Sequence, residues 1–140
     1  MKMPKLKHMQ LYSYLCEVVH VVDGDTIDVS IDMGFYLHQQ VRIRLLAVDT
    51  PERGHEEWAE ATQKLEELIE TAEENDKRFW LRTHKTGKYG RWLGTILSYD
   101  KEIAINMVMS ERWPDKQTRI ALRNPPKEDD VTLSDFTGEG

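Results

Sequence analysis

The first half of the chain alternates polar and apolar residues in the way that is typical of β-strands. Two β-rich runs cover residues 12–32 and are separated by an Asp-Gly-Asp turn at residues 23–25. Apolar residues occupy every second position from 27 to 31, which is the pattern of a half-buried strand. Asp-Gly is a common hairpin turn, and Gly34 permits a further turn before a third strand at residues 36–48. The pattern therefore predicts a three-stranded meander.

The period of the pattern changes after His55. Apolar residues then recur every third or fourth position over residues 58–72, which predicts an amphipathic helix. Two more strands are predicted at residues 78–83 and 91–99. The apolar segment at residues 103–113 predicts a second, shorter helix, which ends before a proline.

This order of elements favours a mainly β fold with helices (α+β). It is compatible with a five-stranded Greek-key barrel of the OB type, with a helix after strand 3 and a short helix after strand 5. We predict one domain over residues 1–113. Residues 114–140 contain Asn-Pro-Pro followed by acidic residues and end in Gly-Glu-Gly, which predicts a C-terminal tail that is loosely docked or disordered.

The overall composition is that of a globular protein. The 140 residues are 39% hydrophobic and 31% charged, and no apolar run is long enough to span a bilayer. The basic N-terminus is not followed by the apolar stretch of a signal peptide, so we expect a cytoplasmic protein with no membrane partner. The single cysteine, Cys16, excludes an internal disulfide and is expected to be a buried thiol.

The charge is unevenly distributed along the chain. A formal net charge of -6 argues against a nucleic-acid partner, because Lys and Arg drive phosphate binding. Residues 77–91 nevertheless contain six basic residues and no acidic one, whereas acidic residues concentrate at 52–76 and from Glu128 onward. Such segregation predicts either one positive cleft on an acidic protein or a solvated helix face beside an incidental basic strand.

Oxygen-bearing side chains collect in two segments that the predicted strand pairing would bring together. These segments are the turn at residues 23–26 and the strand end at residues 44–52. Asp25, Asp49 and the Thr50 carbonyl would then offer hard oxygen ligands to a divalent cation such as calcium. No soft ligand lies nearby in the sequence, so zinc and copper are not expected.

Glu52 and two arginines complete the candidate chemistry. Glu52 follows the rigid Thr-Pro step and could accept a proton from an attacking water. Arg44 and Arg91, on separate elements, could clamp a phosphoryl group. Structural alternatives stay open: residues 49–52 also resemble a helix N-cap and first turn, Arg44 could serve a cross-strand ion pair, and Arg91 could be a surface charge. Arg42 could form a supporting ion pair or a second phosphate contact.

The motifs VVDGDTIDV, RIRLLAVDTPE, KYGRWLG and INMVMSERW occur in this order, and residues 14–113 thereby resemble the staphylococcal nuclease family. The resemblance implies an OB-fold barrel. It also implies calcium-dependent, largely sequence-non-specific hydrolysis of DNA and RNA that leaves 3′-phosphate and 5′-hydroxyl ends. Matched motif by motif, it implies calcium ligands at Asp25, Asp49 and the Thr50 carbonyl, catalytic residues Arg44, Glu52 and Arg91, and substrate-binding residues Lys88 and Tyr89.

The chain also departs from the family pattern. Only Arg53, Gly54 and His55 separate Glu52 from the glutamates that begin the helical pattern. No long third helix is evident, and the tyrosines that wall the family's base pocket have no match. A barrel face left uncovered in this way would favour a homodimer.

Two other function classes stay open. The first is a single-stranded nucleic-acid-binding OB module with little or no catalysis, in which the basic segment at residues 77–91 would act with Trp80, Tyr89 and Trp92 as stacking platforms. For Trp80 and Trp92 we instead expect packing in the core. The second is an interaction subunit whose acidic helix and tail meet a protein partner.

Overall fold

The computed structural model describes residues 12–84 and 91–123, except for the side chains of residues 121–123. Its five strands form a closed barrel in the order β1-β2-β3-β5-β4. Neighbouring strands are antiparallel except β3 and β5, which are parallel. The predicted five-stranded barrel is confirmed. The strands are β1 (Ser13–Asp23), β2 (Thr26–Asp32), β3 (His38–Leu45), β4 (Arg78–His84) and β5 (Trp92–Ser98).

Two helices occur at the predicted places. Helix α1 (Trp58–Glu73) follows β3, and helix α2 (Ile105–Arg112) follows β5. The buried side chains of α1 join the barrel core at spacings of three and four residues, as an amphipathic helix requires. Among the described residues, no helix has the length and apolar character needed to cross a bilayer.

A third helix, α3 (Lys116–Arg123), lies in the segment for which the sequence predicts a tail. The Asp115 side chain accepts a hydrogen bond from the backbone N–H of Thr118 at 2.7 Å and so caps the helix. The segment before α3 is fixed to the barrel, because the N–H of Asp115 donates to the Ala47 carbonyl at 3.0 Å. Residues 124–140 lie outside the described residues, and a domain boundary at residue 113 stays a prediction.

The barrel interior is filled by alternating side chains from all five strands. Ile27, Ile43, Phe79, Leu81 and Ile96 are fully buried. Cys16 is a buried thiol, as expected, and burial together with the charge of Glu17 raises its pKa to about 12.

Two tryptophans that were expected in the core lie outside it. Trp80 alternates with the inward-facing Phe79 and Leu81, and its ring stacks on Tyr99 with the ring centroids 5.9 Å apart. Trp92 is 47% exposed at an open end of the barrel. The expectation of core packing was therefore wrong for both.

Candidate active site

The turn between β1 and β2 fixes Asp25 in a buried position. Its carboxylate accepts hydrogen bonds from the Thr26 hydroxyl at 2.9 Å and from the Thr50 backbone N–H at 3.1 Å. Its carbonyl accepts the N–H of Leu45 at 2.7 Å. A buried carboxylate needs such donors, and here they also tie the turn to the segment after β3. The two segments that the sequence was expected to bring together therefore meet.

Arg44 links the two acidic residues of this cluster. Its Nη2 lies 3.2 Å from Asp25 Oδ2 and 3.2 Å from Asp49 Oδ1. The same nitrogen donates to the Val48 carbonyl at 3.2 Å. The partly buried guanidinium is thus held by both carboxylates, and its charge is less screened by water than that of an exposed arginine.

Gly24 lets the β1–β2 turn approach Thr50 closely. A Cβ at this position would lie 2.8 Å from Thr50 Cγ2 and 2.8 Å from the Cβ of Ala61 in α1. Thr50 is buried, and its Oγ1 has no hydrogen-bond partner among the described residues. The close approach requires glycine and leaves a buried oxygen next to Asp25.

Asn106 in α2 holds the segment that follows β3. Its Nδ2 donates to the Leu46 carbonyl at 2.9 Å and to the Gly94 carbonyl at 3.0 Å. Its Oδ1 accepts the N–H of Ile96 at 2.9 Å. The segment itself contains Ala47 in the left-handed region, with φ of 69°. Asn106 therefore connects α2, β5 and the segment after β3, which lies between Arg44 and Asp49 in the chain.

Glu52 and Arg91, the other two predicted catalytic residues, are both exposed. Glu52 is exposed in the loop before α1, and its carbonyl accepts the N–H of His55 at 3.0 Å. Arg91 is exposed and lies immediately before β5, the strand that pairs with β3 through Arg44 and Leu93. The predicted substrate-binding residues Lys88 and Tyr89 lie outside the described residues.

The Asp-Gly-Asp turn was expected to make Asp23 a structural residue, and its contact with Asp25 fits that role. Asp23 Oδ1 accepts the N–H of Asp25 at 3.3 Å. Burial, reinforced by the neighbouring Asp25, raises the pKa of Asp23 to about 6. The Asp-Gly-Asp spacing keeps the carboxylates of Asp23 and Asp25 close together, which adds to the effect of burial on this pKa.

The donor set around Arg44 suits a hard cation. The described residues contain no group of three or more His, Cys, Asp or Glu side chains arranged for a metal. Calcium also accepts carbonyl and water oxygens. Asp25 and Asp49 share a single guanidinium nitrogen as their cationic partner, and the buried Thr50 hydroxyl beside them has no partner. These oxygens fit calcium.

Comparisons with known proteins identify the family to which the chain belongs. The family model described as Staphylococcal nuclease homologue matches residues 42–111. Protein ParB of Escherichia coli is 36% identical over 99 residues, which cover 70% of this chain and 46% of ParB. Micrococcal nuclease of Shigella flexneri is 35% identical over 80 residues, which cover 57% of this chain and 40% of that protein. The chain therefore spans less than half the length of either relative.

Proposed function

The chain belongs to the Staphylococcal nuclease homologue family, and on this basis we propose that it is a calcium-dependent nuclease acting on DNA or RNA with little sequence preference. The observation that carries the proposal is the contact of Arg44 with both Asp25 and Asp49. The proposed 3′-phosphate and 5′-hydroxyl products rest on the resemblance to the family. A cytoplasmic location stays a prediction.

The proposed role of Arg44 follows from the charge of the substrate. A phosphodiester is an anion, and more charge develops on its oxygens as the reaction proceeds. Asp25 and Asp49 hold the Arg44 guanidinium in place before substrate arrives, so little reorganisation is needed during the reaction. Arg91, immediately before the neighbouring strand β5, would contact the phosphoryl group from a second direction. Calcium held by Asp25, Asp49 and the Thr50 carbonyl would supply further positive charge.

Glu52 is proposed as the general base. Its exposed position past Pro51 allows it to take a proton from a water that approaches the phosphorus. The water oxygen then bonds to phosphorus, the bond between phosphorus and O5′ breaks, and O5′ takes up a proton from solvent as it leaves. Glu52 is not held by the guanidinium that links Asp25 and Asp49, which separates the base from the anchoring acids.

One observation favours a second candidate, a nucleic-acid-binding module with little catalysis. The Trp80 and Tyr99 rings stack on the outer face of the barrel, with the Arg78 guanidinium 4.1 Å from the Tyr99 centroid. The Lys101 ammonium lies 5.6 Å from the Trp80 centroid. Aromatic rings beside cations can bind bases and phosphates without any chemistry.

Cleavage of a fluorescently labelled single-stranded DNA, with calcium or with a chelator, distinguishes the two functions. We expect calcium-dependent cleavage by the wild type. The Glu52→Ala variant should lose about 10²-fold or more in rate and still bind the DNA. Glu56→Ala, which removes a nearby exposed glutamate, is the matched control and should cleave normally. Calcium-independent binding without cleavage by the wild type would support the second candidate instead.

A further inference from the structure

Apolar side chains of the described residues are exposed together at one end of the barrel. We call them the barrel-end surface: Tyr12, Met33, Phe35, Tyr36, Leu37 and Trp92. Phe35 is 93% exposed and Tyr36 is 100% exposed, so neither ring packs on the part of the chain that the structure describes. Exposed apolar groups that form one patch mark interaction sites more often than scattered ones do.

The loop between β2 and β3 keeps the Phe35 and Tyr36 rings exposed to solvent, although its backbone conformation is unfavourable. Gly34, Phe35 and Tyr36 have φ values of 80°, 55° and 62°. Two backbone hydrogen bonds of 2.9 Å, between Met33 and Leu37 and between Leu37 and Gly34, close the loop. The left-handed conformation is unfavourable for a residue other than glycine, because Cβ then lies too close to the following carbonyl oxygen. Strain of this kind is concentrated at functional positions.

An apolar cavity of about 580 Å³ opens beside this loop. Tyr14, Ile31, Val41 and Ile43 line its inner part, and Tyr12, Met33 and Trp92 belong to both the cavity wall and the barrel-end surface. Its volume lies in the range of pockets that receive small-molecule ligands, so an aromatic side chain fits. A projecting aromatic loop and an apolar cavity thus share one end of the barrel.

We propose that the barrel-end surface is the interface of a symmetric homodimer, in which Phe35 and Tyr36 of each copy enter the cavity of the other. A two-fold interface uses the same patch on both copies and must therefore be self-complementary. A surface that carries both a projecting aromatic loop and a cavity meets this requirement. Met33 belongs to both, because it lines the cavity and begins the loop. The proposal does not depend on the nuclease function.

The chemistry of the surface favours a second copy over a nucleic acid. None of its six side chains is charged, and residues 33–37 contain no Lys, Arg, Asp or Glu. A polyanion would require basic residues there. Two copies that each carry a net charge of -6 repel one another over much of their surfaces, so an uncharged patch is the place where they can meet.

The area of the surface is sufficient for a stable dimer. Aromatic side chains bury about 150–250 Å² each when they are covered. Six large, mostly exposed side chains therefore offer on the order of 800 Å², which is about the share of one partner in a standard interface. Central aromatic residues commonly carry most of the binding energy in such interfaces.

Sedimentation velocity of the full chain over a wide concentration range tests the proposal. The test variant is Phe35→Gly/Tyr36→Gly, because glycine adopts the left-handed conformation without strain and the loop can keep its shape. Met107→Ala and Ile120→Ala are the controls, since these side chains are 68% and 52% exposed on α2 and α3. Circular dichroism melting checks that each variant is folded. If the double variant is unfolded, the single variant Tyr36→Gly is tested in its place.

We expect a concentration-dependent dimer for the wild type and for both controls. The double glycine variant should raise the dissociation constant about 100-fold or more. A wild type that stays monomeric at the highest soluble concentration would overturn the proposal, as would a double variant that dimerises like the wild type. A monomeric wild type whose binding to single-stranded DNA is lost in the double variant would also overturn it, since the surface would then serve nucleic acid.

Discussion

Arg42 and Arg44 lie two residues apart on the same face of β3, but only Arg44 contacts the acidic residues of the candidate site. Arg42 Nε instead lies 2.8 Å from Asp28 Oδ1, and its Nη2 lies 3.2 Å from Asp28 Oδ2. Of the two roles left open for Arg42, the structure shows the ion pair. The two arginines therefore provide a matched pair for mutation.

Arg44→Gln should lower the single-turnover rate of DNA cleavage about 10²-fold or more, the scale of a lost charge-stabilising donor. Arg42→Gln removes the same charge from the same strand face and should keep the rate within a few-fold of the wild type. The rates are measured with calcium at saturating enzyme, and thermal melting confirms folding of both variants. Equal losses in the two variants would mean that general positive charge, rather than the position of Arg44, promotes cleavage.

The pair of Arg42 and Asp28 should also be visible in a titration. The hydrogen bonds from Arg42 lower the pKa of Asp28, so Arg42→Gln should raise that pKa when it is measured by NMR. Because the folded-state pKa is the lower one, this contribution to stability is complete above the unfolded pKa of about 3.9. It is lost as the pH falls through the folded pKa. The variant and the wild type should thus differ more in urea unfolding at pH 7 than at low pH, and a difference independent of pH would exclude the ion pair as the cause.

Calcium should stabilise the folded chain if Asp25, Asp49 and Thr50 bind it. Ligand at about 100 times its dissociation constant adds about 2.7 kcal/mol to the free energy of unfolding, which a calcium titration followed by melting temperature would detect. Asp49→Asn should weaken this effect, whereas Glu52→Gln should keep it and still lose cleavage. If Glu52→Gln removed the calcium effect as well, Glu52 would be a ligand rather than the general base.

The alternating pattern was sufficient to predict the strands, because side-chain parity fixes which face of each strand is buried, whereas the closed barrel was implied by the resemblance to the family. The same parity carried a signal that was overlooked: Phe79 and Leu81 face inward, so Trp80 must face outward. The third strand begins at His38 rather than at residue 36, since Phe35 and Tyr36 adopt left-handed φ values that bulky residues rarely show. Residue patterns alone gave no indication of that strain.

The candidate site was predictable only where its parts are close in sequence or on paired strands. The contact between Asp25 and Thr50 follows from the hairpin of β2 and β3. The contribution of α2 could not be predicted in this way, because Asn106 and Leu46 are 60 residues apart in the sequence. A buried Asn inside a short helix also has no distinctive sequence pattern. Likewise, α3 depends on its Asp115 cap and on backbone hydrogen bonds to the barrel, which local periodicity does not report.

Gly24→Ala should destabilise the fold and impair the site together. The added Cβ would lie 2.8 Å from both Thr50 Cγ2 and the Cβ of Ala61, and relieving such contacts costs about 1–3 kcal/mol. Moving Thr50 also moves the N–H that holds Asp25. Gly34→Ala is the control, because nothing lies within 4 Å of a Cβ there and only its φ of +80° opposes alanine. Urea unfolding and cleavage rate are both measured, and a rate loss in Gly34→Ala as large as that in Gly24→Ala would contradict this explanation.

Asn106→Ala should cost more stability than any exposed polar substitution in α2. The change removes two buried hydrogen bonds and one partly buried hydrogen bond. The Leu46 carbonyl and the Ile96 N–H lose these partners, whereas the Gly94 carbonyl keeps the N–H of Leu46 at 2.9 Å. Each buried group left unpaired costs about 1–3 kcal/mol, so we expect a total loss of about 2–4 kcal/mol in urea unfolding after partial relaxation.

The control for Asn106→Ala is Ser110→Ala in the same helix. The Ser110 hydroxyl makes one exposed bond of 3.1 Å to the Met107 carbonyl, and its loss should change the free energy of unfolding by less than about 0.5 kcal/mol. Asn106→Asp keeps the acceptor for Ile96 but loses both donors and buries a charge, so it should not restore stability at neutral pH. Asn106 holds the Leu46 carbonyl, and Leu46 lies between Arg44 and Asp49 in the sequence. Cleavage measured well below the melting temperature should therefore fall in both Asn106 variants. Normal cleavage by a folded Asn106→Ala would show that α2 supports the fold without positioning the site.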